Sequence, residues 1–416
     1  MNTPRRVVVT GVGVISSIGN DFDTLTESLK LGRSGIRAID AWSEYGLTSR
    51  VAGWIDLDEE KVKSANIPNK LRKAMPMSTL YCSVAASDAI ASARLSAEDL
   101  SDPRTACIVG SGVADVSVIH REGVKYYQGQ VRRSDPYTVL KSMSSSVSAI
   151  LTKLFGITGR SYSISSACAT GAHNIGHAYE LIRDGHLDRA ITGGCEEVNE
   201  LIVASFQALR MALSTGFNDS PHSASRPYDR DRDGFVMSGG AGVLVLESLD
   251  SALERNAPIY GELIGYAANS DPHDLVLPQA DGGTFVDCIL SALKDAGVAS
   301  GDIDAINTHG TGTIPGDIAE VNGLRRAFGP DMPRFSSTKS MTGHAIGAAG
   351  AIELIACLAM LKEGFIAPSI NIENVDPAFA DVPLVREATT ADLKTLLSLN
   401  FGFGGTNAAT ILRKVE

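Results

Sequence analysis

The stretch Ser163-Ile164-Ser165-Ser166-Ala167-Cys168-Ala169-Thr170-Gly171-Ala172-His173 joins a strand-like run to a helical pattern through small residues. A second stretch of the same design, residues 336–350, lies in the later part of the chain. Strand-like runs and helical patterns alternate around both stretches, which predicts an α/β protein with a mainly parallel sheet. Because the second half repeats the first in outline, we expect two similar halves, residues 1–250 and 251–416, packed against each other.

Apolar runs and helical periodicity define the predicted elements of both halves. The runs that predict buried strands are residues 7–9, 105–110, 189–193, 242–247, 303–307 and 409–412. Apolar residues recur at helical spacing in residues 78–93, 172–183, 283–295, 318–327 and 348–361. We place the boundary between the halves near residues 248–258, where no low-complexity linker occurs.

Composition and charge limit the classes of function. The chain has 416 residues, of which 44% are hydrophobic and 20% charged, as is typical of a folded protein with a substantial core. A net charge of −11 without a basic stripe argues against nucleic acid as a partner. Six cysteines without a CxxC pair indicate reduced thiols and a cytoplasmic location. No run is apolar and long enough to cross a membrane, so we expect no membrane partner.

Cys168 is the first candidate for chemistry. It stands where the strand-like run gives way to the helical pattern, so it lies at a predicted helix N-terminus. Free N–H groups and the helix dipole at such a position lower the pKa of a thiol and can hold an oxyanion. The pattern alone leaves open a buried structural cysteine, which is our interpretation of the other five.

Two further loops carry histidines after predicted strands. Residues 307–317, Asn-Thr-His-Gly-Thr-Gly-Thr-Ile-Pro-Gly-Asp, place His309 at the carboxyl end of a strand, where α/β proteins build sites. Residues 336–350 carry Lys339 and His344, which could hold an anion and supply a neutral imidazole. Taken alone, the first loop favours a histidine bound to the backbone, and Lys339 favours a solvated side chain.

A glycine-rich segment precedes the last predicted strand. Residues 400–407 read Asn-Phe-Gly-Phe-Gly-Gly-Thr-Asn, and this density of glycine lets the backbone approach a ligand closely. Phe403 could act there as a hinged apolar gate. A simple turn before the strand explains the same pattern.

The four segments together resemble the β-ketoacyl-[acyl-carrier-protein] synthases of the thiolase-like superfamily. The similarity runs nearly end to end and includes residues 225–229, Ser-Arg-Pro-Tyr-Asp, and 232–236, Arg-Asp-Gly-Phe-Val. Residues 161–170, 237–240 and 364–372 are similar to the type I branch. Thiolases carry a second catalytic cysteine, which Cys357 does not fit because it lies in an apolar helical run. A non-catalytic chain-length factor would lack Cys168.

The resemblance implies a five-layered αβαβα fold, a homodimer and the elongation of a fatty-acyl chain by decarboxylative condensation with a malonyl unit. Cys168 would hold the acyl chain as a thioester. The backbone N–H groups of Cys168 and Phe403 would form the oxyanion hole. A stand-alone ketosynthase of a secondary pathway, such as aryl polyene or polyketide synthesis, uses the same chemistry and is the alternative.

The resemblance also assigns the decarboxylation half of the reaction. His309 and His344, as neutral donors, would polarise the malonyl carbonyl while CO₂ leaves. Lys339, paired with Glu320, would organise this site rather than act as a nucleophile. The other implied site residues are the supporting Phe401 and the substrate-binding Thr311, Thr313, Val113, Met143 and Phe235. No organic cofactor or metal is implied, since phosphopantetheine arrives on the carrier protein.

The implied partner is an acidic acyl carrier protein, which the family binds through a basic surface. The residues expected there are Lys70, Arg72, Lys73, Arg132 and Arg133. Each of them taken singly is equally well explained as a solvated charge. A heterodimer with a subunit like a chain-length factor is compatible with the same sequence.

Val113 departs from the type I pattern, in which glycine is usual at this position. A valine there would narrow the acyl pocket, near Met143 across the dimer interface. We therefore predict a restricted or unusual acyl preference.

Overall fold

The computed structural model describes residues 4–210 and 212–415. The strands in these ranges are β1 (Val7–Ile15), β2 (Ile36–Ala38), β3 (Val51–Gly53), β4 (Thr105–Ser111), β5 (Ser161–Tyr162), β6 (Arg189–Glu196), β7 (Gly240–Ser248), β8 (Gly261–Ser270), β9 (Ala305–Asn307), β10 (Arg334–Ser336), β11 (Phe365–Ile366), β12 (Thr389–Thr390), β13 (Thr395–Gly402) and β14 (Thr406–Arg413).

The helices in the same ranges are α1 (Phe22–Leu31), α2 (Glu59–Ser64), α3 (Asn69–Arg72), α4 (Met77–Ala93), α5 (Ala97–Ser101), α6 (Val116–Tyr127), α7 (Thr138–Ser142), α8 (Ser146–Phe155), α9 (Thr170–Arg183), α10 (Glu200–Gln207), α11 (Leu249–Glu254), α12 (Gly283–Ala296), α13 (Ile314–Phe328), α14 (Lys339–Thr342) and α15 (Ala349–Glu363). Short 3₁₀ turns cover Asp40–Tyr45, Val131–Arg133, Ala167–Ala169, Pro221–Ser223, Ser300–Asp302, Gly329–Asp331, Ile346–Ala348 and Pro377–Phe379.

The large sheet is built from two sets of strands with one design. Its order is β10-β9-β13-β14-β8-β1-β7-β6-β4-β5. From the centre outward, one set is β1-β7-β6-β4-β5 and the other is β8-β14-β13-β9-β10. Strands at the same distance from the centre have the same rank in the chain order of their own set. The two sets join where β1 pairs antiparallel with β8. The sheet therefore repeats the duplication that the sequence indicated.

The expectation of a mainly parallel sheet is wrong, because the sheet is mixed. The outer strands pair in parallel, β4 with β5 and β6, and β9 with β10 and β13. The pairs between them are antiparallel. One cause is local: only three residues separate β13 from β14, a connection that can join antiparallel strands but not parallel ones.

Helices cover and separate the two sets of strands, which gives five layers. On one outside face, α4 packs on β1, β6 and β7, and on the other α12 packs on β8 and β14. Between the sets lie α9, which contacts β4, β6 and β14, and α15, which contacts β7 and β13. The predicted five-layered α/β fold of two related halves is confirmed.

Burial follows from these positions. The central α15 is buried from Ala349 to Leu361, and it is apolar on all sides except at Glu353, as a helix between two sheets must be. The outer α12 buries one face only, through Phe285, Cys288 and Ile289 among others. On β1, a Cβ at Gly13 would lie 1.9 Å from the carbonyl oxygen of Ala85, so glycine lets α4 approach the strand closely.

Each predicted strand and helix is present, with ends shifted by a few residues. The predicted strands do not include β5, β8, β10 and β13 of the large sheet. The division after residue 250 falls within α11 and stays a prediction. No helix in the described parts of the chain is long and apolar enough to span a bilayer.

Candidate active site

The site lies at one edge of the second half, where three strands end. β9 pairs in parallel with β10 and β13, so their carboxyl ends meet at the same edge. His309 follows β9, Lys339 begins α14 just after β10, and Phe403 follows β13. Cys168, from the first half, lines a cavity of about 400 Å³ together with His309 and His344. Residues that are far apart in the sequence thus line the same cavity.

Cys168 lies in a strained turn that both halves share. It is the middle residue of the 3₁₀ turn Ala167–Ala169, directly before α9, and Ala167 has a φ of +48°. Ile346 has a φ of +44° in the corresponding turn before α15, where Gly347 takes the place of the cysteine. A left-handed conformation costs a residue with a Cβ roughly 1–2 kcal/mol. The surrounding contacts must hold this turn in place.

Burial dominates the electrostatics of the Cys168 thiol. It raises the pKa of the thiol to about 12, so the expected lowering by the helix N-terminus is wrong for the free site. The charge of Lys339 and the backbone N–H groups of Phe403 and Cys168 act in the opposite direction. Both N–H groups therefore lie near the sulfur, and their role as an oxyanion hole stays a prediction.

Lys339 pairs with Glu353 and not with Glu320, which corrects the sequence prediction. The Lys339 ammonium donates to the Glu353 carboxylate, and both side chains are buried. The other Glu353 oxygen accepts from Nδ2 of Asn400 at 2.7 Å. Glu320 instead accepts the backbone N–H groups of His309 and Gly310, each at 2.7 Å. Glu353 is the isolated acid of an apolar helix, a signal that could have identified it as the partner of a buried cation.

His309 and His344 are close and neutral. Their rings lie 5.3 Å apart, centroid to centroid, and nearly perpendicular. Burial lowers both pKa values well below 6.5, and the charge of Lys339 lowers them further. Within the described residues, Nδ1 of each ring is buried without a hydrogen-bond partner. The pair can therefore act on a ligand as uncharged imidazoles.

A buried ionic network supports the loop after His309 and explains the Ser-Arg-Pro-Tyr-Asp segment. Asp317 accepts the backbone N–H groups of Gly312 and Tyr228, each at 3.1 Å. The guanidinium of Arg232 lies 3.2 Å from the same carboxylate, and both side chains are fully buried. This network fixes the loop that presents the threonine hydroxyls to the cavity.

Threonine hydroxyls and aromatic rings form part of the cavity wall. Thr311 and Thr313 line it with their hydroxyl oxygens 3.1 Å apart. Phe401 also lines it and stacks on Phe285 at 3.7 Å. Phe235 packs edge-on against His344 at 5.3 Å. All of these residues except Phe285 were predicted site residues, and their roles stay predictions. Phe285 comes from α12 and has no local motif.

A second group of wall residues was missed as well. Phe206 of α10 contacts both Phe235, at 5.3 Å, and Phe403, at 5.8 Å. The segment from Asp271 to Pro278 also lines the cavity, and the N–H of Gly404 donates to the carbonyl of Leu275 at 2.8 Å. Phe206 belongs to a short helix without a site motif, and apolar residues in a loop give no periodicity to detect, so only the fold reveals both groups.

The remaining predicted residues lie away from the cavity wall. Val113 packs against the apolar cluster that contains Cys168 but does not line the cavity. Met143 caps α7, half-buried and outside the cavity of its own chain. Lys70 and Arg72 lie in α3 with Lys73 at its end, and Arg132 and Arg133 lie in the exposed turn Val131–Arg133.

Comparison with family models and curated proteins identifies relatives along the whole chain. Residues 4–252 match the beta-ketoacyl synthase N-terminal domain, and residues 260–373 match the beta-ketoacyl synthase C-terminal domain. The 3-oxoacyl-[acyl-carrier-protein] synthase 1 of Haemophilus influenzae is 43% identical over 99% of this chain and 99% of that protein. The synthase 1 of Escherichia coli K12 is also 43% identical, over 99% of this chain and 100% of its own length.

Solved structures give the same picture. A beta-ketoacyl synthase from Burkholderia phymatum superposes with a TM-score of 0.92 at 34% identity, over 99% of this chain and all of that one. A type II polyketide ketosynthase, solved in complex with its acyl-carrier protein, superposes with a TM-score of 0.89 at 30% identity, over 99% of this chain and all of that one. The fold is therefore thiolase-like, as these ketosynthases are.

Proposed function

The chain belongs to the beta-ketoacyl synthase family, and from that premise we propose that it elongates an acyl chain by decarboxylative condensation with a malonyl unit. The observation that carries this proposal is the convergence of Cys168, His309 and His344 on one cavity, with two backbone N–H groups directed at the sulfur. A nucleophile, an oxyanion site and two neutral imidazoles are the groups that the two half reactions need.

In the first half reaction, Cys168 accepts the acyl chain from the carrier protein. Its sulfur attacks the thioester carbonyl, and the oxygen becomes negative beside the N–H groups of Cys168 and Phe403. The carbon–sulfur bond to the carrier then breaks, and the proton of the Cys168 thiol ends on the departing carrier thiol. The charge of Lys339 favours the thiolate that must form on the way.

In the second half reaction, His309 and His344 act on the malonyl thioester. Loss of CO₂ breaks a carbon–carbon bond and leaves negative charge on the thioester oxygen, which imidazole N–H groups stabilise without losing their protons. Burial, aided by the charge of Lys339, keeps both rings neutral, and Lys339 adds a positive field. The enolate carbon then attacks the acyl group, and Cys168 leaves as a thiolate that regains a proton. Release of CO₂ makes the condensation effectively irreversible.

The substrate arrives on an acyl carrier protein. Exposed Lys70 and Lys73, in and just after α3, would contact its acidic face together with Arg132 and Arg133 of the turn Val131–Arg133. Thr311 and Thr313 would bind the phosphopantetheine arm of the carrier protein. Because this arm arrives with the substrate, the proposed reaction needs no organic cofactor or metal bound to the chain. The secondary-pathway alternative is not favoured, because the synthases 1 share 43% identity and the polyketide ketosynthase 30%.

We also propose a homodimer in the cytoplasm. Large apolar side chains are exposed on α6, on the turn after it and on α7. They are Ile119, Tyr126, Tyr127, Val131, Val139 and Leu140. A monomer rarely exposes such a patch. Light scattering should give twice the chain mass, and Tyr127→Glu with Val139→Glu should give monomers, whereas monomeric wild type would favour a heterodimer.

The cytoplasmic location agrees with the cysteines: six unpaired cysteines are compatible with a reducing compartment.

Mass spectrometry of the protein after reaction with decanoyl carrier protein tests the proposed function. The decanoyl group should appear on Cys168, and malonyl carrier protein should then release the ketoacyl product. Cys168→Ala should abolish both events. Cys357→Ala, which changes a thiol inside α15, should leave both intact. Condensation by the Cys168→Ala variant would contradict the proposal.

A further inference from the structure

Ser166 lies two residues before the nucleophile, and each of its polar groups forms a hydrogen bond. Its backbone N–H donates to Oγ1 of Thr170 at 2.8 Å, and its carbonyl accepts from Oγ1 of Thr406 at 3.1 Å. Its hydroxyl lies 2.7 Å from Nδ1 of His173. Since Ala167 is strained, these contacts fix the approach of the chain to Cys168.

His173 connects this turn to the strand that follows the glycine-rich loop. Its Nε2 lies 3.2 Å from the carbonyl oxygen of Asn407. A carbonyl oxygen can only accept, so Nε2 carries the proton and Nδ1 accepts from the Ser166 hydroxyl. Burial lowers the pKa of His173, in agreement with a neutral ring. One side chain thus bridges two segments that lie more than 200 residues apart.

The bridged segments carry the two donors of the proposed oxyanion hole. The Cys168 N–H lies in the turn that begins after Ser166. The Phe403 N–H lies in the hairpin loop that the pairing of Gly402 with Thr406 closes. At Gly402, a Cβ would lie only 3.2 Å from the nitrogen of Cys168, so the hairpin passes close to the nucleophile turn. The spacing of the two donors therefore depends on how the hairpin is anchored to that turn.

We propose that His173 is a positioning residue, which, with Ser166 and Thr406, sets the distance between the Cys168 and Phe403 N–H groups. The inference rests on the proposed function, because it assumes acyl transfer to Cys168. It adds a role for a histidine on α9 that does not line the cavity and does not touch the reacting atoms. Loss of the bridge should weaken oxyanion stabilisation without removing either donor.

Two reactions of the same thiol separate positioning from general damage. Acylation by decanoyl carrier protein passes through an oxyanion, whereas alkylation by iodoacetamide does not. In full-length His173→Ala, acylation of Cys168 should slow by about 10- to 100-fold, since small misplacements of catalytic groups have effects of this size. Alkylation should change by less than about threefold, because it reports only thiol reactivity and access.

Three further variants complete the test. Ser166→Ala should lower the ratio of acylation to alkylation in the same direction but less, and it perturbs the fold least. His173→Gln, which keeps a donor for Asn407, should restore part of the ratio. His177→Ala is the matched control, because His177 lies one turn further along α9 and bonds Tyr162 instead, at 2.9 Å. It should behave like wild type.

The outcomes distinguish the two proposals. Wild-type protein that is alkylated but never acylated at Cys168 would contradict the proposed function itself. Wild type that is acylated, with His173→Ala and Ser166→Ala keeping the wild-type ratio, would overturn the positioning role alone. A fall in both rates by the same factor would also overturn it, since that result indicates general disruption of the site.

Discussion

The ammonium group of Lys339 and the carboxylate of Glu353 form an ion pair in the protein interior, where the side chains are 1% and 2% exposed. Burial raises the pKa of Cys168 and lowers the pKa values of His309 and His344, and the positive charge of Lys339 acts to lower all three. Two buried charges of opposite sign rarely add much net stability, because desolvation offsets their attraction. The pair is therefore best understood as a way to fix the positive charge of Lys339 near the site. The Glu353 carboxylate compensates that charge, so the ammonium group can be buried.

Removing one member of this pair should be costly. Glu353→Gln leaves a buried cation without its counter-charge, and we expect the free energy of unfolding to fall by roughly 3–5 kcal/mol. Urea denaturation followed by circular dichroism measures the change. The double variant Lys339→Met/Glu353→Leu should recover most of the lost stability and keep only a slow residual malonyl decarboxylation. A double variant as unstable as the single one would contradict the assignment of the pair.

The Lys339 charge should also set the acid limit of activity. Neutral imidazoles are needed, and the lowered pKa values keep His309 and His344 neutral until the pH falls well below 6.5. Lys339→Met removes a charge that lowers both pKa values, so both rise and the residual decarboxylation is lost at a higher pH than in wild type. Rates of CO₂ release from about pH 5 to about pH 8 measure the shift.

Glu320 provides the control for this pH profile. Burial raises the pKa of its carboxyl group to about 8, so it titrates in the range of the assay. Glu320→Gln should remove any inflection near that pH and leave the acid limb in place. An acid limb that is the same in wild type and Lys339→Met would show that the Lys339 charge does not control the two histidines.

Charge reversal on α3 should weaken recognition of the carrier protein. Lys70→Glu with Lys73→Glu should raise the KM for carrier-bound substrate by about tenfold at low salt, with kcat little changed, since exposed charges steer association. The KM for an acyl-pantetheine thioester without the carrier should not change. Lys394→Glu, an exposed lysine at the start of β13, is the matched control. An unchanged KM for carrier-bound substrate would exclude this docking surface.

The sequence predicted the parts of the fold and site that depend on local patterns. Cys168 and His309 stand in segments whose small residues and glycines mark a turn after a strand, and the structure places both at such turns. The duplication was also visible, because residues 336–350 repeat the design of residues 163–173. Local periodicity and turn chemistry are readable one segment at a time.

What the sequence did not reveal depends on contacts between distant segments. The partner of Lys339 was assigned to Glu320, whereas the lysine reaches Glu353 on α15, and no local spacing distinguishes the two acids. The pKa of Cys168 was predicted from the helix N-terminus, but the depth of burial, which only the packed structure gives, decides its direction. The bridge from His173 to Asn407 was invisible for the same reason.

Val113 should control the length of the acyl chain. It packs in the cluster behind Cys168, next to Gly112, whose backbone N–H donates to the buried Glu196 at 2.8 Å. That hydrogen bond fixes the backbone, so the valine side chain cannot easily move aside for a long substrate. Val113→Gly should shift the products to longer chains, as measured by mass spectrometry of reactions with substrates of graded length.

The size of the side chain, and not the stability of the cluster, should produce this shift. Val203→Ala removes buried apolar volume from the same cluster and is expected to cost about 1–2 kcal/mol of stability without lengthening the products. Val113→Ile, which adds one methylene group, should shorten them. Because the two Val113 variants change the side-chain volume in opposite directions, a residue that limits the space for the acyl chain near Cys168 must give opposite shifts. The same length distribution in wild type, Val113→Gly and Val113→Ile would place the limit of the acyl pocket elsewhere.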